Sequence, residues 1–346
     1  MQTQNDYLRW LSSSTDSTYW HDSAVISELY TALGNGATGV TTNPFLVAST
    51  LTADPGYWGT YLADIDPDLK GTEKVEALMQ RVTGHVAEIL QPIYEEGDIR
   101  TGRCCAQTDP NRTGNYEAIL QQAQRYAQWA PNICLKVPAT RSGIAAAEEL
   151  AARGHNVVVT VSFTVPQVLA TGAALQRGFE RAREAGITPG LGVAVLMVGR
   201  LDDYLRDVAQ DTSDCVSEED VIQAGTACIK KAYRLFMERG YEAYLMPAGC
   251  RGAYHITELA GAKMIMSIAP KIADMLAELE GPFEERIDIP VADEVIERLL
   301  TLPEFRKAYD EEGMTPDQFI TFGSTNRTTD QFINDGWGVL LGLDVK

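Results

Sequence analysis

Short β-rich runs alternate with amphipathic stretches along most of the chain. Eight runs read as strands: Ser14–Thr18, Gly39–Thr42, Arg103–Thr108, Ile133–Pro138, Val157–Ser162, Leu191–Val198, Ala243–Pro247 and Lys263–Ile268. Helical patterns separate most of them. After Gly71, the residues Val75, Leu78, Met79, Val82, Val86, Ile89, Leu90 and Ile93 recur at 3-, 4- and 7-residue spacing, one face of a helix. Ser217 with Asp220 three residues on predicts a capping box, Gly240 a helix end, and Thr315-Pro316 another helix start. Strands alternating with helices of this length imply parallel βαβ units, and a count of eight predicts closure into a (β/α)8 TIM barrel. Two open-sheet domains are the alternative, but no Gly/Pro/Ser-rich tract divides the chain. Residues 1–346 therefore read as one barrel domain. Leu51–Lys70 is expected to be an irregular excursion, and 293–346 a helical extension packed on the barrel.

Composition narrows the function classes. Apolar residues make up 45% of the 346 and charged residues 22%, enough to bury a large core. A formal net charge of −19 argues against nucleic acid and anionic membrane as partners. An anionic substrate would then need local arginines to overcome the global field. No run approaches a membrane-spanning length, and the N-terminus shows no signal-peptide pattern. The six cysteines, Cys104, Cys105, Cys134, Cys215, Cys228 and Cys250, lack zinc-type pairing and sit mostly among apolar neighbours. Reduced thiols in the cytoplasm are expected. His21, His85, His155 and His255 are scattered without metal-ligand spacing, so no metal is implied.

Catalytic groups in such barrels sit where strands end and βα loops begin. Lys136 lies in an otherwise apolar run, Ile133-Cys134-Leu135-Lys136-Val137-Pro138. Alternation puts Cys134, Lys136 and Pro138 on one face. A lysine facing a barrel interior loses solvation, which disfavours the ammonium form and lowers a pKa of about 10.4. A neutral amine can attack a ketone and form an iminium, the electron sink for cleaving the adjacent carbon–carbon bond. The alternative is an edge-strand lysine that discourages aggregation, but a closed barrel has no edge. Asp16 is the only carboxylate in the first run, and reads as an acid–base partner or a turn aspartate. Thr42 and Asn43 end the second run; Asn43 before Pro44 suits either a helix cap or an amide for a substrate hydroxyl. Thr160 is an ordinary strand former that also stands at a strand end. Arg200 follows the sixth run and Arg251 the seventh, within Ala248-Gly249-Cys250-Arg251-Gly252. Such positions suit bidentate binding of phosphate as well as surface ion pairs.

Taken in order, Gly39-Val40-Thr41-Thr42-Asn43-Pro44, Leu135-Lys136-Val137-Pro138-Ala139-Thr140 with Gly143, Val159-Thr160 with Phe163 and Gln167, Val198-Gly199-Arg200, and Glu258-Leu259-Ala260-Gly261 with Ala269-Pro270 resemble the transaldolase family. The similarity runs from Asp16 to about Ile272. It implies a Schiff-base lysine on the fourth strand, here Lys136, and Asp16 as the acid–base carboxylate. It also implies Asn43 on substrate, Thr160 beside the catalytic water, and Arg200 and Arg251 on the phosphate. The family moves a dihydroxyacetone unit from sedoheptulose 7-phosphate or fructose 6-phosphate to an aldose phosphate, in carbohydrate metabolism of the pentose phosphate type, with no cofactor. Four positions depart from its pattern. Gln107 stands where transaldolases usually carry glutamate and the related fructose-6-phosphate aldolases carry glutamine, while Met197 stands where those aldolases carry tyrosine. Val158 and Val195 replace polar residues. Water handling therefore looks stripped, with Asp16 expected to carry most proton transfer and Asp109 a candidate helper. Two other readings stay open, an aldolase releasing free dihydroxyacetone and a non-catalytic sugar-phosphate binder. A homodimer is compatible with all three.

Overall fold

The computed structural model describes residues 4–212 and 216–344. Cys215 lies outside them; the other five cysteines are free and buried. Eight parallel strands form a nearly closed barrel surrounded by helices: β1 Thr18–His21, β2 Gly39–Val40, β3 Arg103–Gln107, β4 Ile133–Pro138, β5 Val157–Thr160, β6 Gly192–Leu196, β7 Tyr244–Pro247 and β8 Ile265–Ile268. From β1 to β7 consecutive strands pair, and β1 also pairs with β8 from Thr18↔Ile265 to His21↔Ile268. β7 and β8 touch without a shared ladder.

Seven of the eight strands fall on the expected runs, several of them shortened. The first does not. Ser14 ends the helix Asp6–Ser14, whose N-cap Asn5 accepts from Leu8 N, and β1 begins at Thr18. The polar run Ser14–Thr18 gives way to Thr18-Tyr19-Trp20-His21, where three aromatic rings and a β-branched residue fit a buried, pleated surface better. Leu51–Lys70 is not irregular throughout: Asp54 caps a helix, Pro55–Leu62, whose Trp58 is buried. The capping box at Ser217 opens only Glu218–Val221; a second helix, Ala224–Arg239, ends at Gly240 with φ +64°.

Helix caps fix the loops at the C-terminal mouth of the barrel. Asn43, Thr140 and Thr164 each accept from a backbone N–H in the first turn of the helix that follows β2, β4 or β5. Pro44 and Pro166 stand in those first turns, where their missing N–H costs nothing. One apolar cluster fills both the barrel and the layer between barrel and helices, with Leu135, Val137, Val159, Phe163 and Ile268 buried. Each such side chain contributes about 1.5–3 kcal/mol. The chain from Asp293 to Gly342 is mostly helical and returns over the mouth, packing on the helices Pro44–Ala53 and Gly71–Glu95. No described helix is long and apolar enough to cross a membrane.

Candidate active site

Lys136 is the fourth residue of β4 and only 7% exposed. Its Nζ donates to Thr42 O at 3.0 Å. That carbonyl follows β2, two strands away, so the side chain crosses the barrel interior rather than turning out to water. The β3–β4 register sets Cys105 beside Cys134 and Gln107 beside Lys136. The amine therefore stands on a floor of two buried thiols, with the Gln107 amide next to it. Burial pushes the Cys105 thiol up to about 11 against the opposing charge of Lys136. This thiol is protonated at neutral pH and serves as packing.

Asp16 is not part of this group. It is exposed and precedes β1 at the N-terminal end of the barrel, where its carbonyl accepts from Arg100 Nη1 at 3.2 Å. The carboxylate that follows β1 at the C-terminal mouth is Asp22. Its N–H donates to Ile268 O, and its Oδ1 accepts from Thr41 Oγ1 at 2.6 Å. Thr41 Oγ1 also lies 2.7 Å from Ser267 Oγ. The dipeptide Thr41-Thr42 thus holds Asp22 by its first hydroxyl and Lys136 by its last carbonyl. Thr42 Oγ1 donates to Cys105 O at 2.6 Å, which ties that dipeptide to β3. Asn43 Oδ1 is committed to Leu46 N as the helix cap, leaving its amide NH2 as the group it can offer a substrate.

Thr160 ends β5 and is buried. The next residue, Val161, has φ +57°, a region that β-branched residues avoid at a cost of order 1–3 kcal/mol. Gln167, fully buried, clamps the strained turn. Its Nε2 donates to Val161 O and Ala139 O, and its Oε1 accepts from Phe163 N and Thr164 Oγ1. A cavity of about 10 Å³, close to the room one water needs, lies between Gln107, Asp109, Pro138 and Thr160. Gln107 Oε1 is buried there with no partner among the described residues. Asp109 borders it, but its carboxylate is engaged by the N–H and side chain of Asn111.

The arginines lie together at the far side of the mouth. Arg200 belongs to the first turn of the helix Val198–Thr212 rather than to a loop, and Arg251 to the turn after β7. Glycine makes their approach feasible: a Cβ on Gly199 would meet Gly249 O at 2.5 Å and Arg251 Cγ at 2.6 Å. Gly249 itself has φ +61°. Arg251 Nε donates to Asp203 Oδ2 at 2.7 Å, which aims it. Its N–H donates to His255 Nδ1, so the ring proton is on Nε2 and is donated to Asp202 at 2.8 Å. Burial, with Arg251 adjacent, depresses the Arg200 guanidinium to about 10, partly offset by Asp22 and Asp203. It remains charged at neutral pH, and its buried Nε has no partner among the described residues. Two guanidinium groups thus concentrate positive charge at one place in a chain of net charge −19.

The structure thus gathers Lys136, Gln107, Thr160, Thr42, Asn43, Arg200 and Arg251 at one mouth, with Asp22 there and Asp16 at the opposite end. An interior lysine, a strand-end carboxylate, a threonine hydroxyl and two arginines share the C-terminal end of a (β/α)8 barrel, the end at which enzymes of this fold carry their active sites. A sequence model of the transaldolase/fructose-6-phosphate aldolase family matches residues 19–321, and the chain belongs to that family. It is 34% identical over 175 residues to transaldolase 1 of Streptomyces avermitilis, covering 48% of this chain and 45% of that one. Identity to transaldolase 1 of Streptomyces coelicolor is 32% over 234 residues, 65% of this chain and 57% of the relative. With the transaldolase of Thermobifida fusca it is 30% over 204 residues, 56% and 53%. The chain spans about half the length of the curated relatives it matches.

Proposed function

We propose that this chain is a transaldolase that moves a dihydroxyacetone unit between sugar phosphates through a Schiff base on Lys136. The observation that carries the reading is the Lys136 amine, buried inside the barrel and linked through Thr41-Thr42 to the Asp22 carboxylate. In this reading Arg200 and Arg251 hold the phosphate of fructose 6-phosphate or sedoheptulose 7-phosphate, and Asn43 binds a hydroxyl. The Lys136 amine adds to the C2 carbonyl; the carbinolamine hydroxyl takes a proton from solvent and leaves as water, giving the iminium. Asp22 takes the proton of the C4 hydroxyl, the C3–C4 bond breaks, and the electron pair passes into the iminium to give an enamine. The aldose phosphate leaves, an acceptor aldehyde enters, and the enamine attacks it as Asp22 returns the proton. Water beside Thr160 and Gln107 then hydrolyses the iminium and frees Lys136. The reading extends to one domain in the cytoplasm, for which the free buried thiols speak.

Gln107 supports a second reading, an aldolase that releases free dihydroxyacetone, because its unpartnered carbonyl faces a one-water cavity. Fructose 6-phosphate supplied with and without erythrose 4-phosphate separates the two. Sedoheptulose 7-phosphate formed only with the acceptor supports the transferase. Glyceraldehyde 3-phosphate and dihydroxyacetone accumulating without it support the aldolase. No product in either arm defeats both.

A further inference from the structure

The C-terminal segment supplies a side chain to the arginine pair. The helix Gly323–Gln331 runs into a π-helical stretch, Phe332–Trp337, a widened form common at functional sites. The stretch docks against the turn after β2. A Cβ on Gly336 would meet Phe45 N at 2.5 Å and Pro44 C at 2.8 Å, so glycine alone permits the approach.

At the junction, Gln331 Oε1 accepts from Arg200 Nη1 at 2.6 Å, and the Phe332 ring lies 5.6 Å from Arg200 Cζ. Ser324 Oγ donates to the Arg200 carbonyl at 3.4 Å. Phe332 and Thr329 also line the cavity beside Gln107 and Thr160. A guanidinium only donates, so the amide oxygen must face Arg200, which leaves the two N–H donors of Gln331 for another acceptor. The Arg200 Nε, buried without a partner among the described residues, is likewise free to donate.

We propose that Gln331 is a specificity-determining residue for phosphorylated substrate, holding the Arg200 guanidinium in place and donating its own amide to the phosphate. This rests on the site reading above. Gln331 reaches the Arg200 guanidinium from a segment 131 positions away along the chain.

The test measures inorganic phosphate binding to the full chain by titration calorimetry, independent of any turnover. Gln331→Met keeps the side chain's length and packing while deleting its polar atoms. Phosphate affinity is expected to fall about tenfold, the worth of a hydrogen bond to a charged group, and further in Gln331→Glu. Should Gln331→Met fail to fold by circular dichroism, Gln331→Asn, one methylene shorter, takes its place. In steady state, KM for fructose 6-phosphate rises about tenfold with kcat within about twofold, while KM for unphosphorylated fructose stays fixed. Phosphate affinity unchanged in Gln331→Met, or no phosphate binding by the wild-type chain, overturns the proposal. A wild-type chain that binds phosphate but yields no sugar-phosphate product defeats the transaldolase reading, and leaves the titration to decide the role of Gln331.

Discussion

Exchanging the two candidate carboxylates for amides, one at a time, separates the site seen in the structure from the one expected along the sequence. In Asp22→Asn the Oδ1 acceptor survives, so the 2.6 Å bond from Thr41 and the link onward to Ser267 are kept. The fold should hold, with a melting temperature within about 2 °C of wild type. What disappears is the ability to take and return the proton of the hydroxyl next to the breaking bond. A positioned acid–base group contributes about 10²–10⁴-fold, so kcat for the transfer should fall by that factor, about 3–5 kcal/mol of barrier. Asp16→Asn changes an exposed residue at the other end of the barrel, whose backbone carbonyl accepts from Arg100, and should leave kcat and KM within about twofold. The assay couples glyceraldehyde 3-phosphate formation to NADH oxidation, with erythrose 4-phosphate as acceptor. If Asp22→Asn keeps more than about a tenth of wild-type turnover, Asp22 is not the acid–base group. Loss of turnover in Asp16→Asn would show that the strand-end geometry has been misread.

Other perturbations probe the remaining parts of the site. Gly199→Ala drives a methyl into Gly249 O and the Arg251 side chain, so it should cost about 1–3 kcal/mol of stability in urea unfolding and spread the arginines, raising KM for the phosphorylated ketose more than it lowers kcat. Gln107→Glu puts a carboxylate at the one-water cavity; turnover should rise about tenfold or more, and an unchanged or lower rate would dismiss the idea that a proton relay is missing. Burial depresses His21 to about 4, so between pH 6.5 and 4 the unfolded chain binds a proton that the folded one refuses. Its contribution is fully present above pH 6.5 and is lost on acidification, by about 3 kcal/mol at pH 4; urea unfolding of wild type and His21→Gln should diverge in pH slope across that window alone.

Much of the fold was legible because strand and helix periods differ and alternate cleanly. Lys136 stood out as a charge inside an apolar run, and the structure confirms that it points inward. The shift of the first strand illustrates the limit. Ser14–Thr18 has β-branched threonines but no apolar face, whereas the aromatic Tyr19-Trp20-His21 gives burial that local propensity does not measure, and with that shift the strand-end carboxylate at the mouth is Asp22 instead of Asp16. A stricter weighting of Trp20 and Tyr19 over the two threonines would have found it. Asn43 turned out to use its oxygen as a cap, so the structural and functional readings of that residue share one side chain. Gln331 left no local signal, since its meaning comes from a contact with Arg200 across 131 positions of sequence. The clamp of Gln167 on the strained Val161 turn is likewise a tertiary fact, invisible in a run of valines.

The most direct measurement is sodium borohydride reduction of the chain incubated with fructose 6-phosphate, followed by peptide mass mapping. A single reduced dihydroxyacetone adduct on the peptide bearing Lys136, absent from Lys136→Arg, is the expected result. Label on a different lysine, or an unmodified Lys136 while sugar phosphate is turned over, would contradict chemistry through the interior amine.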